Sequence, residues 1–340
     1  MLKNTEYIEK LSLGLNLDTR DSYLLFLDIM SGNINTNEII KLLTALKVKG
    51  ETTDEITGAV MAIREKMVHI EAPDDTIDIV GTGGDGLNTL NISTASAIVV
   101  ASIGIKVAKH GNRSVSSLSG ASDILTELGV NINISTDSAI KCLNDIDICF
   151  MFAPLYHSSF KHVAEARSQL KTRTIFNILG PLCNPANVKN HLIGAYDKKL
   201  LLPMSQVLKN LGSNNSWLLH SNDGLDEISI SDKTDVVKLH NNRIIEDVID
   251  PNNHSITSAP ISKIIGKDAK YNAKELFKVL NGELNAYRDI ILINSAAAIL
   301  ISGNCHDIDE GINMASVAID SKAALKKINE LKEITNKLSK

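Results

Sequence analysis

A chain of 340 residues with 44% hydrophobic content can bury a full core, as two domains or one large α/β unit, which excludes intrinsic disorder as its default state. With 35 basic and 40 acidic side chains its formal net charge is -5, so neither nucleic acid nor anionic lipid is an expected partner and any anion site must be local. Cys142, Cys149, Cys183 and Cys305 are scattered without a CxxC pair or His/Cys spacing, which excludes a zinc-ligand set or disulfide framework and fits a reducing compartment.

Residues 1–10 carry Glu6 and Glu9 and no apolar stretch, and no later run approaches the length of a membrane span. No secretion signal or membrane anchor is expected, and the implied location is the cytoplasm. Residues 1–72 read as a small helical domain. Apolar side chains recur at three- and four-residue spacing in Tyr23, Leu24, Phe26, Leu27, Met30 and in Ile39, Ile40, Leu42, Leu43, Leu46. Asp18, Thr36 and Thr52 stand at N-cap positions, Thr52 with Glu55 makes a capping box, and Gly32 and Gly50 follow helix ends.

From Pro73 short β-rich runs alternate with helical ones. A strand over 76–80, a helix over 93–103 and a strand over 105–108 make a βαβ unit. Strands over 147–152, 191–195, 217–220 and 228–230 continue it, so residues 73–340 read as a larger α/β domain with a mostly parallel sheet. A helical pattern over 160–169 is interrupted by Lys171-Thr172-Arg173, and an Asn184-Pro185 turn leads into the next strand.

Gly81-Thr82-Gly83-Gly84-Asp85-Gly86 directly follows the first strand, where backbone N–H groups are free to surround an anion. Gly81, Gly83 and Gly86 also satisfy GxGxxG. A dinucleotide site is disfavoured, because the helix starts about seven residues too late and residues 101–108 offer Lys106 instead of a ribose-binding acid. A P-loop fails because Leu87-Asn88 stands where Lys and Ser/Thr belong. The second strand leads into Lys109-His110-Gly111-Asn112-Arg113-Ser114-Val115-Ser116-Ser117, rich in cations and hydroxyls. Adjacent parallel strands deliver both loops to one carboxyl edge. Asn91-Ile92-Ser93-Thr94 can cap the following helix and present hydroxyl and N–H groups to phosphate. Asp226-Glu227, after the turn Asn222-Asp223-Gly224, brings two carboxylates to the same edge, oxygen ligands suited to magnesium.

Taken together, Asp78 through Gly86, Asn91 through Thr94, Lys109 through Arg113, Phe176 through Pro185 and Leu225-Asp226-Glu227 resemble the anthranilate phosphoribosyltransferase family in order and spacing, over most of the chain. The resemblance implies that Gly81, Gly84, Asp85, Thr89, Asn91, Ile92, Ser93, Thr94, the stretch from Lys109 to Ser117, and Ala121 hold phosphoribosyl pyrophosphate. It implies that Ser93, Asp226 and Glu227 serve two Mg2+ ions per subunit, and that Gly81, Asn112 and Arg167 meet anthranilate. The implied fold is of the nucleoside phosphorylase/phosphoribosyltransferase kind: a helical domain joined to a larger α/β domain, with a segment near 160–185 returning to the helical domain. A homodimer through that domain is implied as well. Leu90 stands where the family commonly has Phe, and Gly120-Ala121-Ser122 transposes a frequent Gly-Ser-Ala.

The implied activity is transfer of a 5-phosphoribosyl group to the amine of anthranilate in tryptophan biosynthesis. Displacing pyrophosphate builds negative charge on the leaving group, so fixed donors and magnesium there should dominate catalysis. The aniline nitrogen is uncharged at neutral pH, which makes positioning worth more than a strong base, and a guanidinium at Arg167 could clamp the acceptor carboxylate bidentately. Two alternatives are a pyrimidine-nucleoside phosphorylase and a relative that binds nucleic acid without catalysis; the latter needs a basic surface that a net charge of -5 does not supply.

Overall fold

The computed structural model describes residues 2–113 and 118–338. Four helices open the chain, Leu2–Ser12, Thr19–Met30, Thr36–Lys49 and Thr53–Lys66. Their starts are fixed locally. Asp18 caps the second through Asp21 N–H at 2.7 Å, and Thr52 and Glu55 exchange a capping box, 3.2 Å one way and 2.8 Å the other. Thr36 does not cap the third: Asn35 does, accepting from Glu38 N–H at 3.0 Å. Thr36 is left to bond Glu165 at 2.8 Å on the helix Lys161–Leu170, which packs back on this bundle.

The α/β part is one seven-stranded sheet: β1 (Ile77–Gly81), β2 (Val107–Gly111), β3 (Ile148–Phe152), β4 (Asn190–Gly194), β5 (Asn215–Ser221), β6 (Thr234–His240) and β7 (Arg243–Ile249). The spatial order is β3-β2-β1-β4-β5-β6-β7, with the first five strands parallel and the last two added antiparallel. Alternate residues serve opposite faces. Leu192 and Trp217 pack under the helices Ile92–Ser102 and Ala286–Ile301, while Ile193 and Leu218 join the core shared with Phe26, Leu42, Ile63 and Val163 of the helical part. Burial on both faces explains the continuous apolar reading of these strands.

Two expectations fail here. Residues 228–230 are not a strand, and β6 and β7 stand where none was read. Their hairpin turns through Asn241 and Asn242, with φ of 48° and 62°, the left-handed pair that a two-residue hairpin demands. The second strand also runs three residues beyond its expected end, to Gly111.

Candidate active site

Beyond β1 the chain turns through Gly83, Gly84 and Gly86, whose φ values of 64°, 79° and 81° suit glycine. Thr82 pins the base of this loop: its N–H donates to the Gly194 carbonyl at 2.8 Å and its hydroxyl accepts from Tyr196 N–H at 3.0 Å. Asp85 accepts from Leu87 N–H at 3.1 Å. Arg173 stacks 4.1 Å from the Tyr196 ring centroid and donates to the Gly84 carbonyl. The Lys171-Thr172-Arg173 interruption is thus a strap over the glycine loop, tied to the helical part where Lys47 donates to Thr172.

The basic stretch divides in two. Because β2 extends to Gly111, Lys109 and His110 are strand residues with buried side chains. The Lys109 ammonium donates to the Ile79 carbonyl; burial lowers its pKa, against the opposing pull of Asp78 and Glu227. His110 spans two acceptors, Asp78 at 2.8 Å and the Gly180 carbonyl at 2.9 Å, and Asn184 adds a 2.7 Å bond to Asp78. Burial pushes the Asp78 carboxyl up, but His110, Lys109 and Asn184 outweigh it and hold it below the usual carboxylate range. Asn112 and Arg113 are exposed, Arg113 lying 3.8 Å from Asp123. Ser114, Val115, Ser116 and Ser117 lie outside the described residues.

Helix Ile92–Ser102 starts without a side-chain cap from Ser93 or Thr94. Asn91 holds the N-cap position, but its amide bonds Ser119 at 3.1 Å and Asn272 at 2.9 Å, tying three segments together. Ile92 and Thr94 are buried, which leaves their backbone as what they can offer a ligand. Thr89 bridges to Ile265. Ala121 opens the helix Ala121–Glu127, and Ser122 beside it is buried with no partner for its hydroxyl among the described residues, so the transposed serine points inward.

Asp226 and Glu227 meet the glycine loop and the start of helix Ile92–Ser102. Asp226 Oδ2 accepts from Gly83 N–H at 2.8 Å, and Glu227 Oε1 accepts from Ser93 N–H at 3.1 Å. One donor of the glycine loop and one of the Asn91–Thr94 segment are therefore held by these carboxylates. Burial and then Asp85 push the Asp226 carboxyl up to about 7; burial and then Asp226 push Glu227 up to about 8. Unbalanced negative charge of this kind fits a divalent cation. Among the described residues no three His, Cys, Asp or Glu side chains form a ready cage.

Arg167 stands on the helix Lys161–Leu170, which returns to the bundle. Its guanidinium is half-buried, 5.7 Å from the Phe176 ring centroid, and has no hydrogen-bond or ion-pair partner among the described residues. Burial lowers its pKa. An uncompensated guanidinium beside an aromatic ring has the chemistry to pair with a carboxylate.

The sequence reading passed over Gly194. It pairs in register with Gly81, and a Cβ on it would fall 1.5 Å from the Asp226 carbonyl oxygen. A glycine closing the strand beside the glycine-loop strand was the available signal.

The family model described as the helical bundle domain of the glycosyl transferase family matches residues 5–67, and the model for that family's a/b domain matches residues 73–325. The anthranilate phosphoribosyltransferase of Bradyrhizobium diazoefficiens is 44% identical over 329 residues, covering 97% of this chain and 98% of the relative. The chain belongs to the anthranilate phosphoribosyltransferases. Another member, from Rhodopseudomonas palustris, is 45% identical over 324 residues, 95% of this chain and 96% of that one. Solved anthranilate phosphoribosyltransferases superpose closely. The Thermus thermophilus protein has a TM-score of 0.92 at 30% identity, covering 97% of this chain and 99% of its own. The Saccharomyces cerevisiae protein, solved in complex with PRPP and Mg, has a TM-score of 0.91 at 29% identity and covers 99% of each chain. It has also been solved with 4-fluoroanthranilate.

Proposed function

We propose that the chain transfers the 5-phosphoribosyl group of phosphoribosyl pyrophosphate to the amine of anthranilate, releasing pyrophosphate, as a step of tryptophan biosynthesis. The observation that carries this reading is the meeting of Asp226 and Glu227 with the Gly83 and Ser93 N–H groups at the carboxyl edge of the sheet. That edge offers a diphosphate both backbone donors and metal-holding carboxylates.

In this reading Gly81, Gly84, Asp85, Thr89 and the Asn91–Thr94 turn line the diphosphate and ribose. Lys109 through Ser117 and the backbone of Ala121 complete the phosphate side. Ser93, Asp226 and Glu227 would hold magnesium, two ions per subunit. Magnesium there supplies neutralising charge for the departing pyrophosphate. The Gly83 and Ser93 N–H groups, which here donate to Asp226 and Glu227, would serve phosphate oxygens where those carboxylates held the metal. Arg167 fixes the acceptor carboxylate, with Gly81 and Asn112 near the amine. The nitrogen's lone pair then attacks the anomeric carbon while the bond to pyrophosphate breaks, and the nitrogen afterwards gives up its extra proton to solvent.

No helix among the described residues is long and apolar enough to cross a membrane. All four cysteines are free and buried, which supports a cytoplasmic location. The same reading includes a homodimer through the helical domain, where Leu13, Leu15 and Val48 are exposed. The net charge of -5 gives no support to a nucleic-acid partner. Phosphorus NMR tests the reading: one pyrophosphate should appear per anthranilate consumed, only with magnesium, whereas phosphorolysis of a pyrimidine nucleoside would point to the phosphorylase relative.

A further inference from the structure

Asp226 and Glu227 sit between β5 and β6, outside the sheet, so no strand ladder sets their direction. The residue that follows them makes the attachment. Ile228 N–H donates to Asn294 Oδ1 at 2.9 Å, and Asn294 Nδ2 donates back to the Ile228 carbonyl at 2.9 Å. The second proton on Nδ2 goes to the Ile290 carbonyl at 2.8 Å, one turn earlier on the helix Ala286–Ile301, which locks the side-chain rotamer. Asn294 is fully buried. Its carboxamide therefore acts as a strand surrogate, serving both peptide groups of one residue.

Seven positions earlier on the same helix, the Tyr287 hydroxyl donates to the Asn91 carbonyl at 3.1 Å. One rigid helix thus grips the residue after Glu227 and the residue that opens helix Ile92–Ser102. The contact between those two sites is the Glu227 to Ser93 bond. We infer that Asn294 is a positioning residue for the Asp226–Glu227 pair, setting its reach toward the helix N-terminus and the metal. This rests on the metal-holding role given to the pair above.

The side chain has few substitutes. Asp turns the donor that serves two carbonyls into a repelling oxygen, Gln is a methylene too long, and Leu or Ala strands the N–H and carbonyl of Ile228.

The test is Mn2+ titration, read by electron paramagnetic resonance with pyrophosphate present, on wild type, Asn294→Ala and the Asp226→Asn/Glu227→Gln double variant. Asn294→Ala should bind Mn2+ roughly tenfold more weakly, as loss of an outer support of metal ligands does, while its KM for anthranilate stays within about twofold. Mn2+ binding within about twofold of wild type in a folded Asn294→Ala protein would overturn the inference. Equal binding by wild type and the double variant would instead remove the metal reading on which it rests. Should Asn294→Ala fail to fold, amide hydrogen exchange in metal-free wild type decides: Ile228 should exchange slowly, and fast exchange would overturn the inference.

Discussion

Gly194 lies directly beneath the Asp226 backbone, and a Cβ there would stand 1.5 Å from the Asp226 carbonyl oxygen. Its register partner Gly81 is less crowded, with a Cβ falling 2.6 Å from Asp226 Oδ2. The two glycines form the floor on which Asp226 rests. Gly194→Ala should therefore expel the 226–227 segment, lowering kcat/KM at least a hundredfold at a stability cost of about 1 to 3 kcal/mol, the usual range for overpacking. Steady-state kinetics beside a melting curve checks this; near-normal kcat/KM in a folded variant would remove the proposed floor.

The carboxylate pair makes stability depend on pH. Asp226 is pushed up to about 7 and Glu227 to about 8, above unfolded values of about 4. Their contribution is full below about pH 4 and is lost as pH rises through the folded values. Metal-free protein should melt at progressively lower temperature from pH 5 to pH 8, and Asp226→Asn/Glu227→Gln should flatten that slope while abolishing activity. Magnesium added at pH 8 should raise the Tm of wild type and leave the double variant unmoved. Parallel slopes in the two proteins would separate the pair from the pH effect.

Lys109 is a buried cation facing Asp78 and Glu227. Lys109→Ala should raise the KM for phosphoribosyl pyrophosphate at least tenfold, leave that for anthranilate within about threefold, and lower the Tm because two buried acids lose their neighbour. Equal effects on both substrates would count against its place on the phosphate side.

Arg167 gives the acceptor-side prediction. Losing a charge-assisted bidentate pair costs roughly 1.5 to 3 kcal/mol, so Arg167→Ala should raise the anthranilate requirement about ten- to a hundredfold and spare phosphoribosyl pyrophosphate. Lys should restore only part, because a point charge lacks the guanidinium fork. Aniline, which has no carboxylate, should react poorly with wild type and lose little more in Arg167→Ala. A loss with aniline as large as with anthranilate would make Arg167 a support of the Phe176 wall and not a clamp.

What was legible in the sequence was what local chemistry decides. Asp18 and the Thr52–Glu55 box act within one turn, and the glycine loop announces its own left-handed backbone. Thr36 misled because Asn35, one residue earlier, caps better and Thr36 has a partner 129 positions away. The end of β2 was missed because Lys109 and His110 look like loop residues, and only Ile79, Asp78 and Gly180, brought in by folding, make their burial affordable. Residues 228–230 look like a strand, yet Asn294, 66 positions on, takes the backbone bonds of Ile228. The order of chemical segments along the chain was readable; the long-range contacts that aim them were not.

Anthranilate fluorescence tests the central claim most directly. Purified protein with anthranilate, phosphoribosyl pyrophosphate and magnesium should extinguish the signal at a rate proportional to protein. Omitting magnesium or phosphoribosyl pyrophosphate, or using the Asp226→Asn/Glu227→Gln protein, should hold it constant. Unchanged fluorescence with all components and folded wild-type protein would contradict the proposed transfer.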